Sequence, residues 1–514
     1  MFPASKRAFL KKMRQVQPFW PSVSHETTID VSHFALPSEL KEIKFRFIDP
    51  VWGWLMAARA QDPSDLHWKP VIQSSQPVYG GGVQFGEAFA QACASCPEGA
   101  HFFFIFTNVL VFMSNAYLFY FHKRTCVYVS CVLVFMVLVL FSGGHVMGFT
   151  LHWDGTGAFG VSAAPICIGV ANTNRSGASA QYCLGYMPHT PDEDKVTFST
   201  ELKHYLRQQC AKAILEVLNT VADCGVLCRL RNSAGADTVR VLFPRLMAMN
   251  FDQPEAQLFF GLRNRTSCSK CKWRKGRSAF RKASPQNGSA VRLLYEIYAN
   301  TSNTESARDN AENKLLRWGF NPDRKCCLYT GFDKLLIHLP GRNEVTPCVD
   351  YRDRMHGLLI FFFRMFKGLW DAMDLEPKHQ RTMLQRLKIV CGSNAFHYTN
   401  NGRPYRKQKA LFSGVGTSAK DKVGLLFLLA HVLGHDATIL DPPFREPVLT
   451  ALARVQLIII ASSGLRCYTK DELKLIFDQG YVVVFRAFQT IRRRRGKSFE
   501  PKPRCVQHAY AYLP

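Results

Sequence analysis

The chain has 514 residues, 47% of them hydrophobic, which is long enough for two to four domains with sizeable cores and excludes a chain too polar to fold. Lys and Arg number 65 against 39 Asp and Glu, a formal net charge of +26, which favours an anionic partner, either nucleic acid or an acidic membrane face, without choosing between them. Cysteine numbers 17, an odd count scattered through a long chain, and the opening MFPASKRAFLKKMRQVQPFW is basic and lacks a long apolar core, so a reduced intracellular compartment is expected rather than a secreted disulfide framework.

Residues 1–100 read as an N-terminal helical region: SELKEIKFRFIDPVWGWLMAARA (38–60) as helical stretches broken at Pro50, then a Gly turn and a helix in PVYGGGVQFGEAFAQACASC. The GGG lacks a following Lys-Ser or Lys-Thr and is no phosphate loop. Phe102–Phe121 and Cys126–Phe141 are almost wholly apolar, separated only by His122, Lys123, Arg124 and Thr125. Two readings of 101–144 stand: a membrane hairpin, making the chain a two-pass protein with basic cytosolic arms, or an apolar insert of the composition that a translated retained intron would have.

Two hydrophobic strands are expected to end in aspartates: HVMGFTLHWDGTG at Asp154 and VRVLFPRLMAMNFDQPEAQ at Asp252. Between them come the β-like runs APICIGVANT and AQYCLGYMP and a long helix over ELKHYLRQQCAKAILEVLNTVADCGVLCRL (201–230), so residues 145–283 form an α/β layer with acids at strand ends. Residues 284–440 read as an inserted subdomain with SPQNGS and NTSNTESARDN as surface connections, and 441–514 as a helical part with Thr469 as an N-cap. That part ends in Arg492–Arg495 and Lys497, a cluster fitting a nuclear address.

Carboxylates side by side at strand ends are what a metal-dependent phosphoryl-transfer site needs. Each aspartate alone has an ordinary alternative: Asp154 as a turn residue before GTG, and Asp252, with Glu255, as an N-cap for a helix whose first turn suits Pro254. Next comes a run without acids: Arg263, Arg265, Lys270, Lys272, Arg274, Lys275, Arg277, Arg281 and Lys282, interleaved with Trp273 and Phe280. Cations that neutralise phosphates and rings that stack on bases make it the most nucleic-acid-like stretch of the chain; binding through this block alone would make a non-catalytic nucleic-acid-binding protein. Cys268 and Cys271 have the spacing of half a zinc site, with Cys326, Cys327, His338 and Cys348 as candidates for the other half, or they are a reduced unligated pair. Asp353 and His356 are three apart and would share a helix face suited to a metal or a phosphate, or form a plain surface pair.

In order, WDGTG, LGYMP, FPRLMAMNFDQPEAQ, CSKC, DYRDRMHGL and YTKDELKLIFDQGY resemble the transposases of Plavaka-like and wider CACTA-related DNA transposons, over most of residues 45–514 outside 101–144. The resemblance implies an RNase H-like catalytic core with an Asp-Asp-Glu metal site and a mainly helical inserted subdomain. Asp154 and Asp252 would be the first two acids, and Asp353 and His356 the Asp-x-x-His signature. Two Mg²⁺ or Mn²⁺ ions would activate water and then a DNA 3′-hydroxyl for in-line attack on phosphodiesters. Transposon ends and target DNA would be the partners, in the nucleus, with a homo-oligomer as a further expectation. The family is expected to continue past HAYAYLP, so the third acid is expected to be lost in a truncated or decayed, inactive copy, with Glu446 and Glu472 the available substitutes and Glu472 taken into the catalytic set.

Overall fold

The computed structural model describes residues 24–36, 40–69, 78–79, 87–94, 144–153, 156–158, 161–173, 181–188, 198–232, 234–251, 253–263, 267, 287–329, 331–336, 350–352, 399–400, 403–404, 438–440, 442–461, 468–469, 471–472 and 475–494, with parts of 378–386 and 427–435. The chain divides into two compact units, one of 1–71, 82–272 and 285–351, the other of 72–81, 273–284 and 352–514.

The first unit is mixed α/β. Beside a short hairpin of Thr156–Ala158 with Val161–Ala163, its main sheet is built of β1 (Ser24–Asp30), β2 (Glu42–Ile48), β3 (Gly144–Trp153), β4 (Pro165–Val170), β5 (Gln181–Tyr186), β6 (Val226–Arg231), β7 (Asp237–Phe251) and β8 (Asp350–Arg352). They form one eight-stranded sheet in the order β1-β2-β5-β4-β3-β7-β8, with β6 paired to the start of β7. The pairings β1/β2, β2/β5, β5/β4, β4/β3 and β6/β7 are antiparallel, whereas β3 and β7 run parallel.

Residues 42–48 correct the helical expectation for 38–60. In EIKFRFI the buried Phe45 and Phe47 alternate with exposed Lys44 and Arg46, the period of a half-buried strand. The helix begins only at α1 (Pro50–Arg59), where Asp49 accepts a hydrogen bond from the Trp52 amide at 2.8 Å and Pro50 occupies the first turn. Helix α1 lies against β4 and β5, and Gly53 permits the approach: a Cβ there would stand 2.5 Å from Leu184 Cδ2.

Helix α2 (Glu87–Ala94) covers the opposite face, packing Phe89 and Ala92 on Val146 and Met247. The long helix α3 (Thr200–Thr220) is capped by Ser199, whose Oγ accepts from the Leu202 amide at 3.1 Å. Its buried Leu202, Leu206, Cys210, Ile214 and Leu218 recur every four residues and turn one stripe into the main core. The helix expected over 201–230 is corrected: it stops at Thr220, and after Gly225, at φ +69, VLCRLR forms strand β6. After β7 come α4 (Gln253–Phe259), α5 (Gly288–Ala299, capped by Asn287) and α6 (Glu305–Trp318, capped by Thr304). The polar runs SPQNGS and NTSNTESARDN thus supply helix caps as well as connections.

In the second unit α7 (Pro442–Ala461) packs against α8 (Gly480–Arg494), and the two-residue strands Val78–Tyr79 and Tyr468–Thr469 pair antiparallel. Among the described residues no helix is long and apolar enough to cross a membrane. The apolar stretch 101–143 lies outside the described residues, so the membrane-hairpin reading gains no support.

Candidate functional site

Strands β3 and β7 bring their C-terminal ends together. Their parallel register runs from Gly144 opposite Val241 to His152 opposite Asn250, with one bulge between Leu246 and Ala248 that the absence of a side chain at Gly148 accommodates: a Cβ there would meet Met247 Cγ at 2.4 Å. His152 Nδ1 lies 3.1 Å from the Asn250 carbonyl oxygen, tying the last paired row. One residue further, Trp153 and Phe251 are both buried, their rings 4.7 Å apart, and Phe259 meets Trp153 edge-on at 5.3 Å and Phe251 at a tilt at 5.0 Å. The residue that follows each strand in sequence is an aspartate, Asp154 and Asp252, both outside the described residues. The two carboxylate-bearing positions therefore directly follow a pair of residues that share one aromatic platform.

Helix α4 starts immediately after Asp252 and is held to α3 by a polar seam. Arg207 grips Glu255 in a two-pronged ion pair, Nε to Oε2 and Nη2 to Oε1, each at 2.6 Å, and its Nη1 also donates to the Lys203 carbonyl at 3.0 Å. The side chains are only 13% and 19% exposed, so water screens this pair little. His204 Nδ1 sits 2.6 Å from the Leu258 carbonyl oxygen, and burial drives the imidazole pKa down, towards the neutral form. Gln208 donates to the Phe259 carbonyl at 2.7 Å while its own oxygen accepts from the Cys327 amide at 2.6 Å. Glu255, read from the sequence as a metal-ligand or capping candidate, is thus engaged by Arg207.

The chain leaves this helix through Gly261 at φ +63, where a Cβ would lie 1.7 Å from the Arg324 carbonyl oxygen. Gly261 O accepts from the Asn321 amide and the Arg263 amide donates to Gly319 O, both at 2.8 Å, while Leu262 bridges Phe320. The entry to the basic block is thereby clamped to the end of α6. Tyr295 of α5 reinforces the clamp by donating to Asn321 O at 2.9 Å.

Of the residues proposed for nucleic acid, Arg263 is exposed beside this clamp. Arg265, Lys270, Lys272, Arg274, Lys275, Arg277, Arg281 and Lys282 lie outside the described residues, as do Cys268, Cys271, His338, Cys348, Asp353 and His356. Cys326 is buried in the main core and Cys327 is half-buried. Glu446 is exposed on α7. Glu472 forms a reciprocal capping box with Thr469: its carboxylate accepts from the Thr469 amide at 2.8 Å and its amide donates to Thr469 Oγ1 at 3.2 Å. Thr469 is the N-cap that the sequence indicates. Among the described residues no group of three or more His, Cys, Asp or Glu side chains converges on a metal position.

The supporting residues His204, Arg207 and Gln208 escape the motif reading. Their signal is the i, i+4 pair His204 and Gln208 set inside the apolar stripe of α3, polar residues that burial obliges to find partners.

Residues 166–318 match the family model described as Plavaka transposase. The match runs from β4 to the end of α6, so it contains Asp252, Cys268, Cys271 and the basic block, and it upholds the resemblance read from the motif order. Asp154 precedes it; Asp353, His356 and Glu472 follow it. No curated protein matches the chain.

Proposed function

Starting from a chain that is Plavaka transposase-like over residues 166–318, we propose that it carries out metal-dependent DNA strand cleavage and transfer from an RNase H-like core. The observation that carries this reading is the parallel pairing of His152 with Asn250, two residues short of Asp154 and Asp252. Were the alternation of each strand to run two residues past this pair, both carboxylates would project from one sheet face at adjacent strand ends. Three consecutive antiparallel strands (β3, β4, β5), a long helix (α3) and a fourth strand (β7) returning parallel to the first support the RNase H-like assignment.

Two carboxylates are a donor type suited to a hard divalent cation, and the residues just before them, Trp153 and Phe251, pack ring against ring at the strand ends. When bound there, Mg²⁺ or Mn²⁺ supplies Lewis acidity and a water deprotonated near neutral pH. Asp154 and Asp252 would hold the ion. Arg263 and the cations up to Lys282 would neutralise backbone phosphates leading to the site. Cys268 and Cys271 would fold that block around zinc, and Asp353 with His356 would add a metal or phosphate contact from the inserted region. The DNA partner makes the nucleus the working compartment. Glu472, the candidate third acid, is occupied with its capping box, so the assignment rests on the two aspartates.

The test is Mn²⁺ binding and Mg²⁺- or Mn²⁺-dependent nicking of DNA bearing the ends of the surrounding element, by the full chain and by Asp154→Asn and Asp252→Asn. Loss of Mn²⁺ binding in both variants, with nicking reduced about 100-fold or more where the parent nicks, supports the site. A parent that binds no Mn²⁺, or variants that bind and nick like the parent, overturns it. Mn²⁺ binding without nicking in the parent supports the metal site and identifies an inactive copy.

A further inference from the structure

One row of the sheet crosses four strands just before the ends of β3 and β7: Cys183 on β5 faces Cys167 on β4, Cys167 faces His152 on β3, and His152 faces Asn250 on β7. The two cysteines are thus direct cross-strand partners in an antiparallel pair. Both are free thiols; Cys183 is exposed and Cys167 half-buried.

Opposed residues of an antiparallel pair have Cα atoms about 4.5 or 5.5 Å apart, and either spacing falls within the range of about 4.4–6.8 Å that a disulfide spans. The register shifts by one residue between Ile166 and Cys167 and leaves Cys167 directly opposite Cys183, with the two thiols in direct interaction. This interaction draws the Cys183 thiol down to about 7 and drives the Cys167 thiol upward, and Cys183 Sγ also lies 3.6 Å from the Gly185 carbonyl oxygen. The exposed member is the one whose thiol is lowered, as an attacking cysteine beside a resolving partner needs. Cys210 shows the contrast: it is buried in the core and burial alone drives its thiol up.

We propose that Cys167 and Cys183 are a redox-active dithiol that reacts with small-molecule disulfides such as oxidised glutathione to form an intramolecular cross-strand disulfide. The Cys183 thiolate attacks one sulfur of the small disulfide, breaking its S–S bond and releasing one thiolate, which takes up a proton. The Cys167 thiol then loses its proton and attacks the Cys183 sulfur of the mixed disulfide, releasing the second small thiol. Two protein thiols are oxidised and one disulfide is reduced to two thiols, so electrons and protons balance. This chemistry does not depend on DNA cleavage or on a bound metal.

The full chain, fully reduced and then equilibrated with graded oxidised glutathione, is quenched by alkylation and digested with trypsin. The peptide 176–195 carries Cys183 as its one cysteine, while 125–175 carries Cys126, Cys131 and Cys167, so fragmentation of the linked pair assigns the bond. The expected result is a Cys167–Cys183 link that forms at lower oxidant than any other disulfide of the chain and is reversed by dithiothreitol. Cys167→Ser should trap Cys183 as its glutathione adduct; Cys183→Ser should leave Cys167 unmodified at the same oxidant level. Stable glutathionylation of Cys183 in the parent chain, linkage of either residue to another cysteine, or both thiols still alkylatable when other cysteines have oxidised would each overturn the proposal. The parent chain suffices for these outcomes, whatever the folding of the variants.

Discussion

Replacing Arg207 by Met should loosen the helix that follows Asp252 more than any surface ion-pair change in this chain. Arg207 gives Glu255 two hydrogen bonds of 2.6 Å and the Lys203 carbonyl a third of 3.0 Å, with both side chains less than one fifth exposed. Breaking a fully buried pair costs about 3–5 kcal/mol and an exposed one about 0–1, so a mostly buried pair with some water access should cost about 2–3 kcal/mol. Because the loss is local to the α3/α4 contact, the assay is hydrogen exchange over residues 253–262. A drop of that size means exchange about 30- to 150-fold faster, at about 1.4 kcal/mol per tenfold. Glu255→Gln should reproduce most of the change, and the double variant should cost much less than the sum of the two single ones. Exchange in Arg207→Met within threefold of the parent, or strictly additive single effects, would refute the view that this pair anchors α4.

Two further predictions concern the same body. Gly261→Ala should open the clamp between Leu262 and Phe320, because the added methyl meets the Arg324 carbonyl oxygen rather than a yielding side chain; the loss should exceed the ~1–2 kcal/mol of a left-handed residue alone. Exchange rising together in 258–263 and 319–324 would show it, and an unchanged pattern would count against the clamp. His204 binds a proton less readily folded than unfolded, since burial lowers its pKa. The stability it contributes is therefore intact above the ordinary histidine pKa of about 6.5 and is lost as pH falls through that value towards the folded pKa. Protection factors in α3 and α4 should decline from pH 7.5 to 5.5 in the parent and stay flat in His204→Gln; equal slopes would remove His204 from the effect.

The parts of the fold that follow a clean period are legible from residues alone. The strands carrying His152 and Asn250, the β-like runs at Pro165–Val170 and Gln181–Tyr186, and the stripe of α3 all read directly from where apolar residues recur. Residues 42–48 mislead because Glu, Lys and Arg suit helices; the alternation of Ile43, Phe45 and Phe47 against them decides the matter once a sheet is there to bury one face. Val226–Arg231 merges into the preceding helix on sequence because the break at Gly225, with φ +69, shows only in the backbone. The site divides the same way. Strand-end aspartates can be found by pattern, whereas the residues that hold the helix after Asp252, namely Arg207, His204 and Gln208, acquire meaning only from partners 48–119 positions away.

The sheet also fixes how far the transposase-like body extends beyond the stretch that matches the family. The match begins at Ile166, inside β4, and contains β7, yet these two strands are not neighbours: β3 lies between them and pairs with both. Without β3 a gap of two strand spacings, about 10 Å, would separate them and leave both edges unpaired. The matched segment therefore requires Gly144–Trp153, and with it the strand that leads to Asp154. Helix α2, on the other side of the apolar stretch in sequence, packs Phe89 and Ala92 on Val146 and Met247 of that same sheet. Chain on both flanks of residues 95–143 thus belongs to one folded body. The apolar segment lies in sequence between two elements that pack on one another.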